Sequence, residues 1–245
     1  MTGCTSTDDD TKASSTASSA ATGPKVVAST TWVGALAKAA GATNVTVIAP
    51  AGAQHPPDYD PKPSDLTSVA GADYIVFAEF DGFAAKIKEA AGGNGKLVPV
   101  QLENTPSKIT SEVTRLGTLF GTSTAATTWL ATFTTEYAKL SGDVKAALPR
   151  PAPIAVTHVF MAYWADFAGL PVTGTYGPQP VSPSQLQELA AKKPGFVLTN
   201  AHLPGANPDI EGATRVDIVN YPGKDLDLLA VFRTNATALT AAVRA

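Results

Sequence analysis

The sequence is poor in several residue types, and each shortage argues against a class of protein. Its 245 residues include a single cysteine, Cys4, so no intrachain disulfide can form. Charged residues make up 16% of the chain, the net charge is −3, and no three Lys or Arg residues follow one another. A nucleic-acid-binding face is therefore not expected. No apolar stretch approaches the roughly 18 residues that a membrane-spanning helix needs, so any membrane attachment would have to be covalent.

Motifs of hydrolytic enzymes are also missing. The chain has no H-E-x-x-H, no H-x-H and no G-x-S-x-G. A zinc hydrolase with three histidines remains an alternative, but it would need an open coordination position and a nearby general base. We therefore expect a binding protein and not an enzyme.

Histidine is scarce, and its placement is informative. The three histidines of the chain, His55, His158 and His202, each lie at or just beyond the end of a predicted strand. Imidazole is the commonest nitrogen ligand of zinc, and three converging rings would fill three of the four tetrahedral positions. The alternative for each histidine taken alone is a hydrogen-bonded structural residue or a solvated loop residue. The shared placement predicts a metal site.

The stretch Ala53 to Leu66 surrounds the first histidine with four prolines. Each proline fixes its own φ near −65° and restricts the residue before it, so this loop should lose little entropy on binding a ligand. The preceding Val45 to Ile48 is typical of a buried strand, and Ser64 with Asp65 can cap a helix that follows. In open α/β sheets the loops that lead from a strand into a helix line the ligand crevice.

Strands and helices alternate along most of the chain, which predicts parallel βαβ units. We expect an α/β fold with two lobes, each a mainly parallel sheet flanked by helices, and a ligand cleft between them. The predicted divisions are a tether at 1–23, a first lobe at 24–106, a helical connector at 107–148 and a second lobe at 149–245. Within the connector, the apolar spacing predicts two helices broken near Gly121.

The run from Lys25 to Phe77 resembles the opening of the zinc- and manganese-binding solute-binding proteins of bacterial ABC importers. That family has a proline-rich loop bearing the first metal histidine, then P-x-P-S-D, then A-D before the third strand. The matching positions here are His55, Pro61, Pro63, Ser64, Asp65, Ala72 and Asp73. The resemblance implies an extracytoplasmic monomer that captures a divalent metal ion and delivers it to a membrane permease. It also implies that one stiff helix, Ser123 to Ala147, joins the lobes.

The resemblance returns in the second lobe, with two departures. His158 matches the third metal ligand of the family, and Gly169-Leu170 matches the pair after its aromatic-rich helix. No histidine follows the strand KLVPVQL, where the chain has Glu103-Asn104, and Asn220 stands where the family has an acidic ligand. The expected metal ligands are therefore His55, His158 and His202, with Glu79 or water in the fourth position. Three imidazoles favour Zn²⁺, whereas Mn²⁺ prefers more oxygen ligands.

Cys4 follows Thr2-Gly3 and precedes a tail built almost wholly of Thr, Ser, Ala and Asp. This start resembles a bacterial lipoprotein, in which the cysteine carries a lipid anchor, the residues before it end a signal peptide and the tail is a flexible tether. The alternative is an incidental cysteine in a disordered segment.

Two further alternatives concern the ligand and the class. Receptors of the same build carry cobalamin, haem or siderophores, and SEVTRLGTLFGTSTAATTW resembles the helical link of that branch. In that case a wider cleft would be lined by the aromatic residues Trp32, Tyr59, Phe80, Phe83, Tyr163 and Tyr176. A surface adhesin on a lipid anchor is the other alternative, which the proline loop with its histidine argues against.

Overall fold

The structure is a computed structural model that describes Met1, residues 23–93 and residues 96–244. Cys4 and nearly all of the predicted tether lie outside these described residues. None of the helices that the structure describes combines the length and apolarity required to cross a membrane.

The first lobe is a four-stranded parallel sheet with helices on its faces. Its elements are β1 (Lys25–Ala28), α1 (Thr31–Ala39), β2 (Asn44–Val47), α2 (Pro63–Leu66), β3 (Tyr74–Ala78), α3 (Ala84–Ala91) and β4 (Lys96–Val100). The strand order is β2-β1-β3-β4. The central strands β1 and β3 are buried along nearly their whole length because helices cover both faces of the sheet, whereas the edge strands are partly exposed.

Two helices lead out of this lobe, α4 (Pro106–Phe120) and α5 (Ser123–Ala147). The break falls at Gly121, which ends α4 in the left-handed conformation with φ of 73°. Glycine adopts this conformation without the steric cost that a Cβ brings. The predicted pair of helices and the break between them are thus both present.

The second lobe repeats the architecture of the first. Its elements are β5 (Ala155–His158), α6 (Ala162–Ala168), β6 (Val172–Tyr176), α7 (Pro183–Ala191), β7 (Phe196–Asn200), β8 (Thr214–Ile218) and α8 (Leu228–Arg244). The strand order is β6-β5-β7-β8, again wholly parallel. The predicted fold class, two parallel α/β lobes joined by a long helix, is confirmed.

The order in which strands are added changes direction at the same place in both sheets. In each lobe the first strand has the second strand on one side and the third strand on the other, so the switch point lies between β1 and β3 in the first lobe and between β5 and β7 in the second. Ligands of open α/β sheets bind outside the carboxyl ends of the strands at such points. Residues directly after these four strands are therefore the first place to look for a site.

The largest hydrophobic core cluster runs through both lobes and the connecting helices, and each lobe also has a smaller cluster of its own. Phe133 and Tyr137 of α5 pack edge-on against Phe232 of α8, and Tyr137 also contacts Phe167 of α6. Aromatic pairs of this geometry add about 0.5–1.5 kcal/mol each beyond the area that they bury. Because α5, α6 and α8 share this cluster, the lobes are joined by packed side chains and not by extended hinge strands.

Candidate metal site between the lobes

The proline loop holds His55 through contacts on both sides. Pro56 and Pro57 are buried, and the Pro57 carbonyl accepts a hydrogen bond from the Gly82 N–H at 2.9 Å, which ties the loop to the end of β3. Further along, the Asp65 carboxylate accepts from the Tyr59 hydroxyl at 2.8 Å and from the Lys62 N–H at 2.9 Å. The loop is fixed as expected. The predicted cap differs, however, because Lys62 occupies the N-cap of α2 and Asp65 reaches back to it.

His55 is partly exposed, with 27% of its side chain accessible, and it lines a cavity of about 360 Å³ between the lobes. Its Nδ1 lies 2.8 Å from Asp58 Oδ2, although the alignment is not that of a hydrogen bond. A carboxylate beside Nδ1 favours the proton on that nitrogen and leaves the lone pair on Nε2.

His202 reaches the same cavity from the second lobe, two residues after β7. Its Nδ1 lies 3.3 Å from the backbone oxygen of Gln54, the residue before His55. A carbonyl can only accept, so this contact places the proton on Nδ1. Nε2 then carries a lone pair, is buried, and has no hydrogen-bond partner. Metal-binding histidines commonly have this arrangement, with the second ring nitrogen donating to a carbonyl.

The surroundings keep the His202 ring neutral. Burial lowers its pKa, the Gln54 carbonyl partly opposes that shift, and the nearby His55 lowers the pKa further. The ring also packs edge-on against Tyr221, with 4.8 Å between centroids. A neutral imidazole with an unused lone pair is the form that binds a metal ion.

His158 is placed differently, although it ends β5 beside the second switch point. It is fully buried, and burial lowers its pKa to about 4. Its Nδ1 accepts a hydrogen bond from the Phe160 N–H at 3.1 Å, so the proton of the neutral ring sits on Nε2. Nε2 faces Gly177 so closely that a Cβ on that glycine would lie 2.6 Å away. In this conformation neither ring nitrogen of His158 offers a free lone pair.

The two positions where the expected family ligands are missing contact each other across the lobes. Asn104 Nδ2 donates to Asn220 Oδ1 at 3.3 Å, and the same oxygen accepts from the Tyr163 hydroxyl and from Trp164 Nε1, both at 2.9 Å. Both asparagines are buried. An amide oxygen with three donors is a saturated acceptor, so this pair forms a structural joint between the lobes.

Glu79, the predicted carboxylate, lies outside the cavity. It is exposed, and its Oε2 accepts from Lys88 Nζ at 2.7 Å on the surface of the first lobe. The buried carboxylate at this end of β3 is Asp81, which sequence reasoning passed over. Asp81 is 3% exposed, its Oδ2 accepts from the Ala78 N–H at 3.2 Å, and its Oδ1 has no partner. Its position in the sequence could have indicated this, because Asp81 directly precedes Gly82 in the turn after β3.

The predicted ligands are therefore only partly brought together. His55 and His202 line one cavity, His158 lies behind Gly177, and Glu79 is on the surface. Over residues 23–93 and 96–244, no three His, Cys, Asp or Glu side chains are grouped closely enough to hold one metal ion. His55 and His202, which line one cavity from different lobes, are the preformed part of a candidate site.

The fold places the chain in the class of two-lobed α/β proteins with a helical connection, and the histidine pair lines a cavity between the lobes. Residues 26–115 match the family model described as zinc-uptake complex component A, periplasmic. The match spans the first lobe, including His55, and continues into α4.

Solved structures extend the likeness to most of the chain. FpvC of Pseudomonas aeruginosa, solved with Mn²⁺, is 18% identical with a TM-score of 0.66, over 90% of this chain and 97% of that one. The laminin-binding protein Lbp of Streptococcus pyogenes is 15% identical with a TM-score of 0.65, over 90% and 99%. A zinc-bound variant of AdcAII of Streptococcus pneumoniae is 16% identical with a TM-score of 0.63, over 90% and 99%. A comparison with curated proteins gave no match.

The resemblance read from the sequence is thereby confirmed. Over residues 26–115 the family model agrees with that resemblance, and the solved structures share the two-lobed fold. The matching model describes a periplasmic component of a zinc-uptake complex.

Proposed function

We propose that this protein captures a divalent transition metal ion in the cleft between its lobes and delivers it to the permease of an ABC importer. The observation that supports this most directly is that His202 Nε2 is buried and has no hydrogen-bond partner. The Gln54 carbonyl, next to His55 in the chain, places the ring proton on Nδ1 and leaves the lone pair on Nε2. Two of the structural neighbours, FpvC with Mn²⁺ and the AdcAII variant with zinc, were solved with such an ion, which agrees with either ion as ligand.

Within this proposal, His55 and His202 are the primary ligands because each presents its ring to the cavity from one lobe. His158 is the third nitrogen ligand only if its ring turns, since Nδ1 is occupied by the Phe160 N–H. Glu79 would have to leave Lys88 and swing inward, so it is the least supported member of the predicted set.

The test is metal analysis followed by titration. Protein purified without chelator should retain zinc or manganese, and calorimetry should give one site per chain. Changing His202 to Gln should weaken metal binding by about a hundredfold or more, because a residue that binds the ion directly is lost. Loss of a residue that only hydrogen-bonds to a metal ligand typically lowers the affinity by about 10–100-fold. Changing His55 to Gln should have a comparable effect. His158→Asn serves as the comparison variant, because Asn offers an acceptor to the Phe160 N–H while removing the ring.

Two results would contradict this proposal. One is a wild-type chain that neither retains nor binds a metal ion, and the other is a His202→Gln variant that binds as tightly as the wild type. A chelated metal or an organic ligand would then become the first candidate, and the cavity of about 360 Å³ is large enough for a ligand of a few heavy atoms.

We also propose that the receptor is held at the membrane by a lipid on Cys4. The Thr-Gly-Cys start and the Ser/Thr-rich tail support this anchor. Mass spectrometry of the protein from its native membrane fraction should detect a diacylglyceryl adduct, and an unmodified Cys4 there would refute the anchor.

A further inference from the structure

The segment that carries His202 is a short loop of the second lobe. β7 ends at Asn200, and residues 201–206 lead away from the sheet and back again. Most of this loop, including His202, lines the cavity that His55 reaches from the first lobe. The loop is therefore one wall of the candidate site, and the contacts that hold the loop also decide where the His202 ring lies.

The side-chain amide of Asn207 closes this loop at its base. Its Oδ1 accepts a hydrogen bond from the Asn200 N–H at 3.2 Å, and its Nδ2 donates to the Asn200 carbonyl at 3.0 Å. β5 pairs with β7 only as far as Leu198, so the amide takes the place of a neighbouring strand for these two backbone groups. Removing the amide would break both hydrogen bonds that join the two ends of the loop.

Asn200 connects this closure to the histidine. Its Oδ1 accepts from the His202 N–H at 2.9 Å, and its carbonyl also accepts from the Leu203 N–H at 3.1 Å. Asn200 itself is buried. The backbone of His202 is thus bound directly to a residue that Asn207 holds in place.

We propose that Asn207 is a positioning residue for metal binding, which acts through Asn200 to hold the His202 ring at the cavity. This inference rests on the proposed metal-capturing function and adds to it a residue that does not touch the ion. A loop that is free to move must be ordered whenever an ion binds, which weakens binding. A ligand that occupies its binding position for only part of the time lowers the apparent affinity by that fraction.

The experiment is a double-mutant cycle on the full chain. Calorimetry measures the Zn²⁺ affinity of the wild type, Asn207→Ala, His202→Gln and the double variant. We expect Asn207→Ala to weaken Zn²⁺ binding about tenfold, at the lower end of the range for residues that support a metal ligand. In the His202→Gln background the same substitution should have no further effect, because the ring through which it acts is already absent. A residue that only stabilised the fold would not show this dependence on His202.

Ser141→Ala is the matched control. Ser141 is buried outside the cavity, and its hydroxyl donates to the Phe167 carbonyl at 2.7 Å between α5 and α6. This variant also deprives a backbone carbonyl of a side-chain donor, so it should melt at a lower temperature and keep the wild-type affinity. Asn200→Ala removes the acceptor of the His202 N–H and should weaken Zn²⁺ binding as Asn207→Ala does. It repeats the test if Asn207→Ala does not fold.

The possible outcomes separate this inference from the function on which it rests. If the wild type binds Zn²⁺ and Asn207→Ala binds it as tightly, the inference is wrong and the proposed function stands. The same holds if Asn207→Ala weakens binding equally with and without His202, or if Ser141→Ala loses as much affinity. If the wild type binds no metal ion, the proposed function fails and this inference fails with it.

Discussion

The two lobes have the same strand order but carry different chemistry at their switch points. The first lobe presents hydroxyl and carboxylate oxygens, Ser29 and Asp81, whereas the second presents imidazoles, His158 and His202. Burial raises the pKa of Asp81 and lowers the pKa of both histidines. A repeated architecture thus supplies two equivalent positions, and the residues placed there decide whether each holds a buried carboxyl group or a buried imidazole.

Acid should therefore act on the two lobes in opposite directions, and His158 gives the larger effect. Its folded pKa of about 4 lies below the usual value of 6.5, so the unfolded chain binds the proton more readily. The stability that this neutral ring contributes is present above pH 6.5 and is lost as the pH falls to 4. The loss amounts to about 3 kcal/mol. Urea unfolding at pH 7.5 and 4 should show that His158→Asn is less acid-sensitive than the wild type by this amount. Equal acid sensitivity would contradict the prediction.

Substitutions at two glycines can test whether the His158 ring is fixed in its position. Gly177 and Gly212 both have positive φ, 82° and 79°, but a Cβ on Gly177 would lie 2.6 Å from His158 Nε2, whereas nothing lies within 4 Å of one on Gly212. Gly212→Ala should cost about 1–2 kcal/mol for its backbone conformation alone. Gly177→Ala should cost about 2 kcal/mol more, from the steric overlap. Chemical denaturation measures both. Similar costs would mean that His158 is free to move aside.

The joint between the lobes should be asymmetric, because Asn104 donates and Asn220 accepts. Asn220→Asp keeps an acceptor for all three donors, so the stability should change little. Asn104→Asp replaces the donor by a second acceptor and should cost about 1–3 kcal/mol. Thermal unfolding of the two variants provides the measurement, and equal losses would refute the assigned direction of the hydrogen bond.

The smallest effect concerns Asp81 without bound metal. Its folded pKa is raised above the value of 3.8 in the unfolded chain, so its ionised form destabilises the fold near neutral pH and this penalty is relieved as the pH falls through the folded pKa. Asp81→Asn should therefore be more stable than the wild type at pH 7 in the presence of a chelator, with a difference that shrinks in acid. Calorimetric melting at several pH values tests this, and a less stable variant at pH 7 would contradict it.

The sequence was sufficient to predict the two lobes, the stiff loop at His55 and the connector. These features follow from periodic apolar runs, prolines and one glycine, which are local signals. The choice between Glu79 and Asp81 was not accessible in this way. The Asp81 N–H closes a turn onto the Ala78 carbonyl at 3.1 Å, and this turn aims one acid inward and the other at Lys88. Likewise, the tautomer of His202 depends on a carbonyl 148 positions away in the chain.

The hydrophobic core that passes from α5 to α6 and α8 also bears on how the chain melts. Lobes with separate cores can unfold one after the other, but here Phe133, Tyr137 and Phe232 belong to one cluster with buried residues of both lobes. Losing either lobe exposes part of the packing of the other, so the transition should be single and cooperative. A ligand held in the cleft would then stabilise the entire chain against unfolding, and a change at the metal site would be detectable in the melting of residues far from it.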